Sequence, residues 1–553
     1  MRDHYSEFRS QRALGLSLRT ICDNTGITYY RSRQFESIYL KEIHSGKPAV
    51  VEEPKAAAKA AQKPEKKKPV RITAVNERQA LLKKGIVHRV IITSAQDDTP
   101  IFTAFWTNLL AYMKFLGAQL FVGGYTYQLG LYEDHAIATA SYAPELAPYL
   151  AFERTRLLDD LLYVGDANVL PTTANPLNGW MTANRGGHVI IPHARVALDS
   201  IPRMQAAEPH FAISTGTVTM PSYTPRAAGR KSLFHHTFGA LLIEIDTDGQ
   251  CFFRHLLAAE DGSFQDLTHF IDGGVVYPDS RDVICIVWGD IHTRQLNRQH
   301  ALKSFGYDTT TRGTVKSSSM LNALRPMYQC FHDVLDFRAR NHHGICDPHQ
   351  RSLNACTDNE SVEDELDEVA KFVAAVQRDW CRTAIIESNH DCALARWLKD
   401  PQGQFDAENA YLWHHLNGRW HGAYRQGDLR YNVVRDALAI FGLEESDTLD
   451  YVVHGESYEI AGIEHGLHGD VGINGARGSA AGLRKMAPKI NAGHTHTPRI
   501  LDGYYSAGVN GNLKMGYNES GPTTWAYADI VTYASGKRTI INKTSDGRWR
   551  VAS

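Results

Sequence analysis

The sequence predicts an α/β chain of several domains, and two observations carry that prediction. In the C-terminal half, short apolar runs recur and each stops at a polar residue, as the buried strands of a parallel sheet do; Val283-Ile284-Cys285-Ile286-Val287-Trp288 is the clearest. Between the second and third runs, Val362, Leu366, Val369, Val373, Val376 and Trp380 recur at helical spacing, the pattern of a crossover helix. A chain of 553 residues exceeds one ordinary core. The divisions expected are an N-terminal helical module at 1–44, a linker at 45–72, an additional α/β domain at 73–282, and a domain carrying the chemistry at 283–553.

The first module reads as two short helices around a tight turn. Leu18, Ile21 and Cys22 face a small core, Gly26 permits a left-handed turn, and Thr28 caps a second helix bearing Tyr29, Tyr30, Arg31, Arg33 and Gln34. The stretch to Phe35 resembles a helix-turn-helix, whose second helix reaches phosphates and base edges. A helical hairpin for subunit contacts has the same apolar spacing. The segment from Glu53 to Pro69, rich in Ala, Lys and Pro, lacks large apolar residues and reads as a tether. Such a tether would hold a polymer near a distant site.

In residues 73–282, Arg89 to Thr93 and Leu120 to Gly123 read as strands around an amphipathic helix from Phe102 to Leu116. His188 to Ile191, Phe211 to Val218 and Phe238 to Ile245 are further strands between turn residues. His188, His193, His210, His235 and His236 are scattered among them and are expected to be structural. No dinucleotide fingerprint, phosphate-binding loop or nucleophile elbow occurs there.

After residue 283 the apolar runs end in metal-type ligands. The first stops at Asp290 and His292; Met327 to Phe331 runs into Asp333, Thr383 to Ile386 into Asn389, Tyr458 to Ile463 into His465, and Lys489 to Ala492 into His494. Open α/β sheets bind ligands beyond the carboxyl ends of their strands. Carboxylate, amide oxygen and imidazole suit Mn²⁺, Mg²⁺, Fe or Zn²⁺, and one carboxylate can bridge two ions about 3.5–4 Å apart. His342, His343 and His349 lie in a polar stretch after the second run, read as a surface loop, with contact to substrate as the alternative. Past Arg499 the chain turns strand-like at Ala526 to Tyr533 and Arg538 to Ile541.

Four islands now stand in order: Gly289-Asp290-Ile291-His292, Asp333-Val334-Leu335-Asp336, Ser388-Asn389-His390-Asp391 and Gly493-His494-Thr495-His496. Over residues 283 to 505 the chain resembles the calcineurin-like metallophosphoesterase superfamily, a two-layer αββα sandwich. The resemblance implies one metal on Asp290, His292, Asp333 and His496 and a second on Asn389, His465 and His494, with Asp333 bridging. His468 and His454 are the rivals of His465. His390 would be a general acid or transition-state stabiliser and Asp391 would orient its ring. Two such cations would supply an activated hydroxide for in-line attack on phosphorus, with no covalent enzyme intermediate. The chain departs from the pattern where His332 and Ser388 replace glycines, and where Phe337-Arg338 replaces the Arg-Gly phosphate clamp of protein phosphatases. The last departure argues against that branch.

A further resemblance, which takes in Asn474-Gly475-Ala476-Arg477-Gly478-Ser479, is to phage-encoded relatives of the Mre11/SbcD nucleases, among them the pre-early host-DNA-degradation (DNA-transfer) proteins of tailed phages. It implies a manganese-dependent DNase acting as a homo-oligomer in the infected bacterial cytoplasm.

Composition bounds the partners. Residues 1 to 71 hold 15 Lys and Arg against 8 Asp and Glu, a net of +7, which leaves −9 for the rest of a chain whose total is −2. A basic front end on a faintly acidic body suits a polyanion such as DNA. No apolar run is long enough for a membrane span, and Met1-Arg2-Asp3-His4 does not start a signal peptide. Cys22, Cys251, Cys285, Cys330, Cys346, Cys356, Cys381 and Cys392 form no C-x-x-C pair and read as reduced cytosolic thiols. The sequence therefore predicts a metal-dependent DNA nuclease. The alternatives are a small-molecule or nucleotide phosphoesterase, and a DNA-binding or transfer protein without catalysis.

Overall fold

The computed structural model describes residues 82–127 and 140–551, except 206, 281, 316–317, 343 and 517, together with residues 2–13, 21, 24–25, 35, 39 and 70–71. The chain forms two compact units, Met1–Lys68 and Pro69–Ser553. In the first, helix Arg2–Ala13 buries Tyr5 and Phe8 against Ile21 and Phe35, with Tyr39 packed alongside. Leu18, Cys22, Gly26, Thr28, the proposed recognition side chains from Tyr29 to Gln34, and the tether all lie outside the described residues.

The second unit is mixed α/β. Its six-stranded sheet runs in the order Leu449–Val452, Arg382–Ile386, Tyr328–His332, Val283–Val287, Ala528–Tyr533 and Arg538–Asn542. The first four strands are parallel, in keeping with their apolar sequences; Ala528–Tyr533 runs antiparallel to them and Arg538–Asn542 antiparallel to it. Side chains alternate between the faces. Ile286, Phe331 and Ile385 enter a core with helix Val362–Val376, whereas Cys285, Val287, Cys330 and Ala384 enter a core shared with other sheets. The helix starts where Ser361 Oγ accepts from the Asp364 N–H, beside the acidic first turn Glu363, Asp364 and Glu365. It buries Val362, Leu366, Val369, Val373 and Val376 on one stripe, and Trp380 lies past its end.

Across the shared core is a ten-stranded sheet, in the order Glu459–Ile460, Ile463–Glu464, Ile490–Ala492, Tyr504–Ser506, Arg499–Leu501, Ala197–Ile201, His210–Ser214, His188–Ile191, Leu161–Val164 and Arg154–Leu158. Leu198 pairs with Ile500, so residues on both sides of position 283 share one hydrogen-bonded framework. The boundary drawn there runs through the sheet. One part of its outer face, around Leu162, Val189 and Ala212, is covered by a turn-rich segment carrying Leu177, Trp180 and Met181, and another, around Ile490, Ala492 and Tyr504, by the short helix Ala480–Leu483. A four-stranded sheet of Cys251–Leu257, Gly239–Ile245, His88–Gln96 and Gln119–Tyr125 completes the shared core and carries helix Thr103–Leu116 on its other face.

One expected strand is corrected. The run from Tyr458 to Ile463 does not extend straight into His465: the chain reverses at Ala461 and Gly462, where φ is 54° and 72°, leaving two antiparallel strands of two residues each. The fourth parallel strand of the six-stranded sheet is Leu449–Val452. The apolar periodicity of 458–463 comes from a hairpin whose two short arms bury Ile460 and Ile463.

Among the histidines outside the islands, His255 is buried on strand Cys251–Leu257, His193 is buried just past strand His188–Ile191, and His236 is partly buried at the end of helix Ala227–His235; desolvation drives each ring down to about 4. His255 is 2.7 Å from the Ser214 carbonyl oxygen. Unfolded histidine titrates near ~6.5, so between that pH and about 4 the unfolded chain binds protons that the folded chain refuses. Stability is therefore full above the unfolded value and is lost as pH falls, by about 1.4 kcal/mol per pH unit for each ring. Urea denaturation at a series of pH values across that window will show this slope, and His255→Asn will reduce it; an unchanged slope in the variant contradicts the assignment.

Candidate metal centre

The sheet delivers its ligands at the carboxyl ends of neighbouring strands. Asp290 and His292 follow Val283–Val287, Asp333 and Asp336 follow Tyr328–His332, and Asn389 and His390 follow Arg382–Ile386. Two loops of the ten-stranded sheet complete the site: His468 lies beyond Ile463–Glu464, and His494 and His496 beyond Ile490–Ala492.

Backbone conformation aims these side chains. His292, Asp333, His494 and His496 all have positive φ, at 46°, 47°, 71° and 52°. Left-handed non-glycine residues cost on the order of 1–3 kcal/mol each and persist only where surrounding contacts dictate them. Those contacts are present: the His292 N–H donates to the Asp333 carbonyl at 2.7 Å, and the Ile291 N–H to the His332 carbonyl at 3.0 Å. The glycines that open the first and last islands are needed for close approach. A Cβ on Gly289 would meet backbone atoms of Gly508, Val509 and Ala528 at 2.8 to 2.9 Å, and one on Gly493 would collide with Asp290 Oδ1. At the positions where glycine was expected but missing, His332 packs its ring against His468 and Ser388 exchanges hydrogen bonds with Asp391.

The donor atoms converge. Asp290, His292, Asp333 and His496 are all buried, with their ligand atoms within 4.8 Å of one another. His292 Nε2 and His496 Nε2 face each other at 3.0 Å, and Asp290 Oδ2 is 3.1 Å from His496 Nε2. Asp333 Oδ2 lies 3.5 Å from His292 Nε2 and 3.3 Å from His468 Nε2, which is itself 3.1 Å from Asn389 Oδ1. One carboxylate oxygen thus stands between two groups of ligands, the geometry of a bridge. The His494 ring is edge-on to His468 at 5.1 Å between centroids.

The residues fit divalent cations. Asp290 Oδ1 and Asp333 Oδ1 are buried and accept no hydrogen bond, a costly state for a carboxylate oxygen. Two imidazole nitrogens pointed at one another across 3.0 Å gain little from each other and much from a cation they both ligate. Burial raises the Asp333 carboxyl, but the charges of His468 and His390 outweigh it and hold the group well below the usual carboxylate range. Burial lowers His292 and His468, yet their carboxylate neighbours raise both to about 9. Without an ion, the protons on these rings compensate the aspartates.

The second-ligand assignment changes. His465 Nδ1 donates to the Ile463 carbonyl at 2.8 Å and its Nε2 is 3.0 Å from Asn491 Nδ2, so the ring is spent on the sheet interior. His468 takes the place expected for His465. The reason is the hairpin at Ala461-Gly462, which carries the loop that follows it onward before the chain reaches the site. His454, the other rival, pairs with Asp470 at 3.0 Å. The role expected of Asp391 also changes: its carboxylate accepts from the Leu335 and Ser388 N–H groups and builds the loop. The His390 ring is held instead by Asp336, whose carbonyl oxygen accepts from Nδ1 at 2.9 Å and whose carboxylate is 3.2 Å from His292 Nδ1. Asp336 was visible in the second island without a role.

Behind the first island is a buried network the islands do not contain. Asp529 Oδ1 accepts from the Gly289 N–H at 2.9 Å and from Asn510 Nδ2 at 3.0 Å, and Lys543 Nζ pairs with Asp529 Oδ2 at 2.6 Å. The only signal for it in the sequence is an aspartate inside the apolar strand Ala528–Tyr533.

No family model matches the sequence. A curated relative does: the chain is 34% identical over 532 residues to Protein A1 of Escherichia phage T5, covering 94% of this chain and 93% of that protein. The chain belongs to the Protein A1 family. The match covers nearly the whole chain, and its source is a phage.

A divalent ion bound at this cluster would stabilise the folded chain by about 2.7 kcal/mol at a hundredfold excess over Kd. Mn²⁺ is expected to raise the melting temperature and EDTA to reverse it. His468→Ala will diminish the Mn²⁺-dependent rise, whereas His465→Ala will keep it whatever its effect on the metal-free protein. The opposite pattern would restore His465 as the ligand.

Proposed function

We propose that this A1-family chain is a metal-dependent DNA nuclease of the metallophosphoesterase type that hydrolyses phosphodiesters in the infected bacterial cytoplasm. The observation that carries the reading is Asp333 Oδ2 set between His292 and His468 at 3.5 and 3.3 Å, at the ends of parallel strands. In this reading Asp290, His292, Asp333 and His496 hold one ion, and Asn389, His468 and His494 hold a second with Asp333. Such ions, Mn²⁺ first among them, supply positive charge to a phosphate and make water nucleophilic near neutral pH.

The chain's own groups do the rest. His390 gives its Nδ1 proton to the Asp336 carbonyl, which leaves Nε2 as the ring atom that can pass a proton to the leaving alkoxide as the P–O bond breaks. Asp336 joins the two histidines: its carboxylate bonds His292 and its carbonyl fixes His390, so leaving-group protonation is placed relative to the ligand set. His332 is buried with its ring against His468, and burial drives it down to about 3, which keeps it neutral. DNA is favoured over a small phosphate ester by the net +7 of residues 1–71 and by the phage relative. Among the described residues no helix is long and apolar enough to cross a membrane.

Purified protein with Mn²⁺ is expected to degrade plasmid and linear duplex, and EDTA to stop it. Intact DNA beside rapid consumption of a chromogenic phosphomonoester would favour a small-molecule phosphoesterase. His390→Ala should lower turnover by roughly 10²–10⁴-fold while the Mn²⁺-dependent melting shift survives; loss of that shift would make His390 a ligand instead. Deletion through Lys68 should weaken DNA binding and flatten its salt dependence, with hydrolysis of a small chromogenic diester preserved. Loss of diester hydrolysis would make the front module structural.

A further inference from the structure

A cavity of about 280 Å³ opens beside the metal centre, lined by Asn341, His342, Asn389, His390, Ala393 and Arg396. Two of these residues belong to the site: Asn389 faces His468, and His390 is the proton donor of the reaction proposed above. The remaining wall is cationic and polar, and among the described residues no acidic side chain lines it. Arg396 lies in the last turn of helix Asp391–Leu398, the helix that begins immediately after His390. Its Nη1 is 2.9 Å from both ring nitrogens of His342.

The guanidinium is set apart by its place at this cavity. Arg340, Arg382 and Arg419 of this half are matched to carboxylates, and of those that are not, Arg325 lies over the Trp380 ring and Arg378 bonds Asn322 and carbonyl oxygens. Arg396 has no carboxylate partner among the described residues, and it is exposed at the cavity. An arginine fork without a carboxylate, in a cavity without acids, is built for a second anion, and its planar donors match phosphate oxygens. The sequence also lacks the Arg-Gly phosphate clamp after its second island, having Phe337-Arg338 there. Arg338 does not line this cavity, and its charge acts on Asp336.

We propose that Arg396, supported by His342, is a specificity-determining clamp for the phosphate adjacent to the scissile one on a nucleic-acid strand. This rests on the nuclease reading and sharpens it: a substrate with one phosphate leaves the clamp empty, whereas a strand fills both positions at once. His342 holds the guanidinium at the cavity wall, and the strand continues past His390 to the metal centre.

The test has three readouts on the full chain. In EDTA, where no cleavage occurs, fluorescence anisotropy of a labelled single-stranded oligonucleotide is followed across a salt series. Arg396→Gln should reduce the slope of log affinity against log salt by about 0.7, the value of one lost phosphate contact on a single strand. With Mn²⁺, the same variant should raise KM for the oligonucleotide about tenfold. In a set of oligonucleotides carrying one neutral methylphosphonate at successive linkages, one position should penalise the wild type by a similar factor and leave Arg396→Gln unaffected. Arg396→Lys, which keeps the charge and loses the fork, should fall between them. An unchanged salt slope, or a methylphosphonate penalty that persists in Arg396→Gln, overturns the clamp. If the wild type binds with an Arg396-dependent slope yet cleaves nothing with Mn²⁺, the clamp stands and the nuclease reading falls. If the wild type does not bind the oligonucleotide, both fall. Because Arg396 is exposed, retention of the Mn²⁺-dependent melting shift in the variant certifies the fold.

Discussion

Everything near the site follows from bringing Asp290 and Asp333 together in a fully buried place. Two carboxylates that close repel, and burial removes the water that would soften the repulsion. The chain answers with His292 and His468, whose rings are raised to about 9 by those same carboxylates. A site whose negative charge is balanced by protons on displaceable imidazoles exchanges those protons for cations. The orphaned Asp290 Oδ1 and Asp333 Oδ1 mark where the balance is incomplete without them.

Such a cluster persists only if the backbone around it has no alternative. Four left-handed residues carry the strain, and Gly289 and Gly493 allow contacts no other residue permits. The network of Asp529, Asn510 and Lys543 then pins the Gly289 turn from behind, with its ion pair fully buried at 2.6 Å. Removing one partner of such a pair costs several kcal/mol because the other charge is left uncompensated, so the network stabilises one geometry more than it stabilises the fold. The second strand-end loop is fixed differently, by Asp391 accepting from Leu335 and Ser388. Asp336 ties the two loops through His292 and His390.

What the sequence disclosed follows from how local each signal is. The strands from Val283, Tyr328 and Arg382 were legible because a buried parallel strand is apolar throughout and ends abruptly at a ligand. The helix Val362–Val376 was legible from its stripe. His465 was chosen over His468 because six apolar-rich residues look like one strand, and nothing in their periodicity reveals a reversal at Ala461-Gly462. The strand Leu449–Val452 was hidden because Asp450 interrupts it, and that aspartate is there to pair with Arg382 on the adjoining strand. The ten-stranded sheet was beyond reach, since Leu198 meets Ile500 across some three hundred residues and pairing over that separation leaves no pattern in either segment alone. Asp391 was misread because adjacency in sequence to His390 suggested contact, whereas its place at a helix start turns it toward the loop N–H groups.

The two halves of the site are built unequally, and the inequality has a chemical consequence. Asp290, His292, Asp333 and His496 are all buried, and two of the four are carboxylates. Asn389 and His494 are only partly buried, Asn389 brings no charge, and His468 reaches the site from a loop beyond a two-residue strand. Affinity for a hard cation grows with ligand charge and rigidity. The first half therefore has what is needed to retain an ion, while the second is the half open to exchange and to the cavity that Asn389 and His390 share with Arg396. Under the proposed function, a strand entering from that side would meet the less rigid ligands first, so substrate phosphate and a second cation would be positioned by the same few residues. Asp333 is common to both halves, and on the proposed reading occupancy of one would be felt by the other through it.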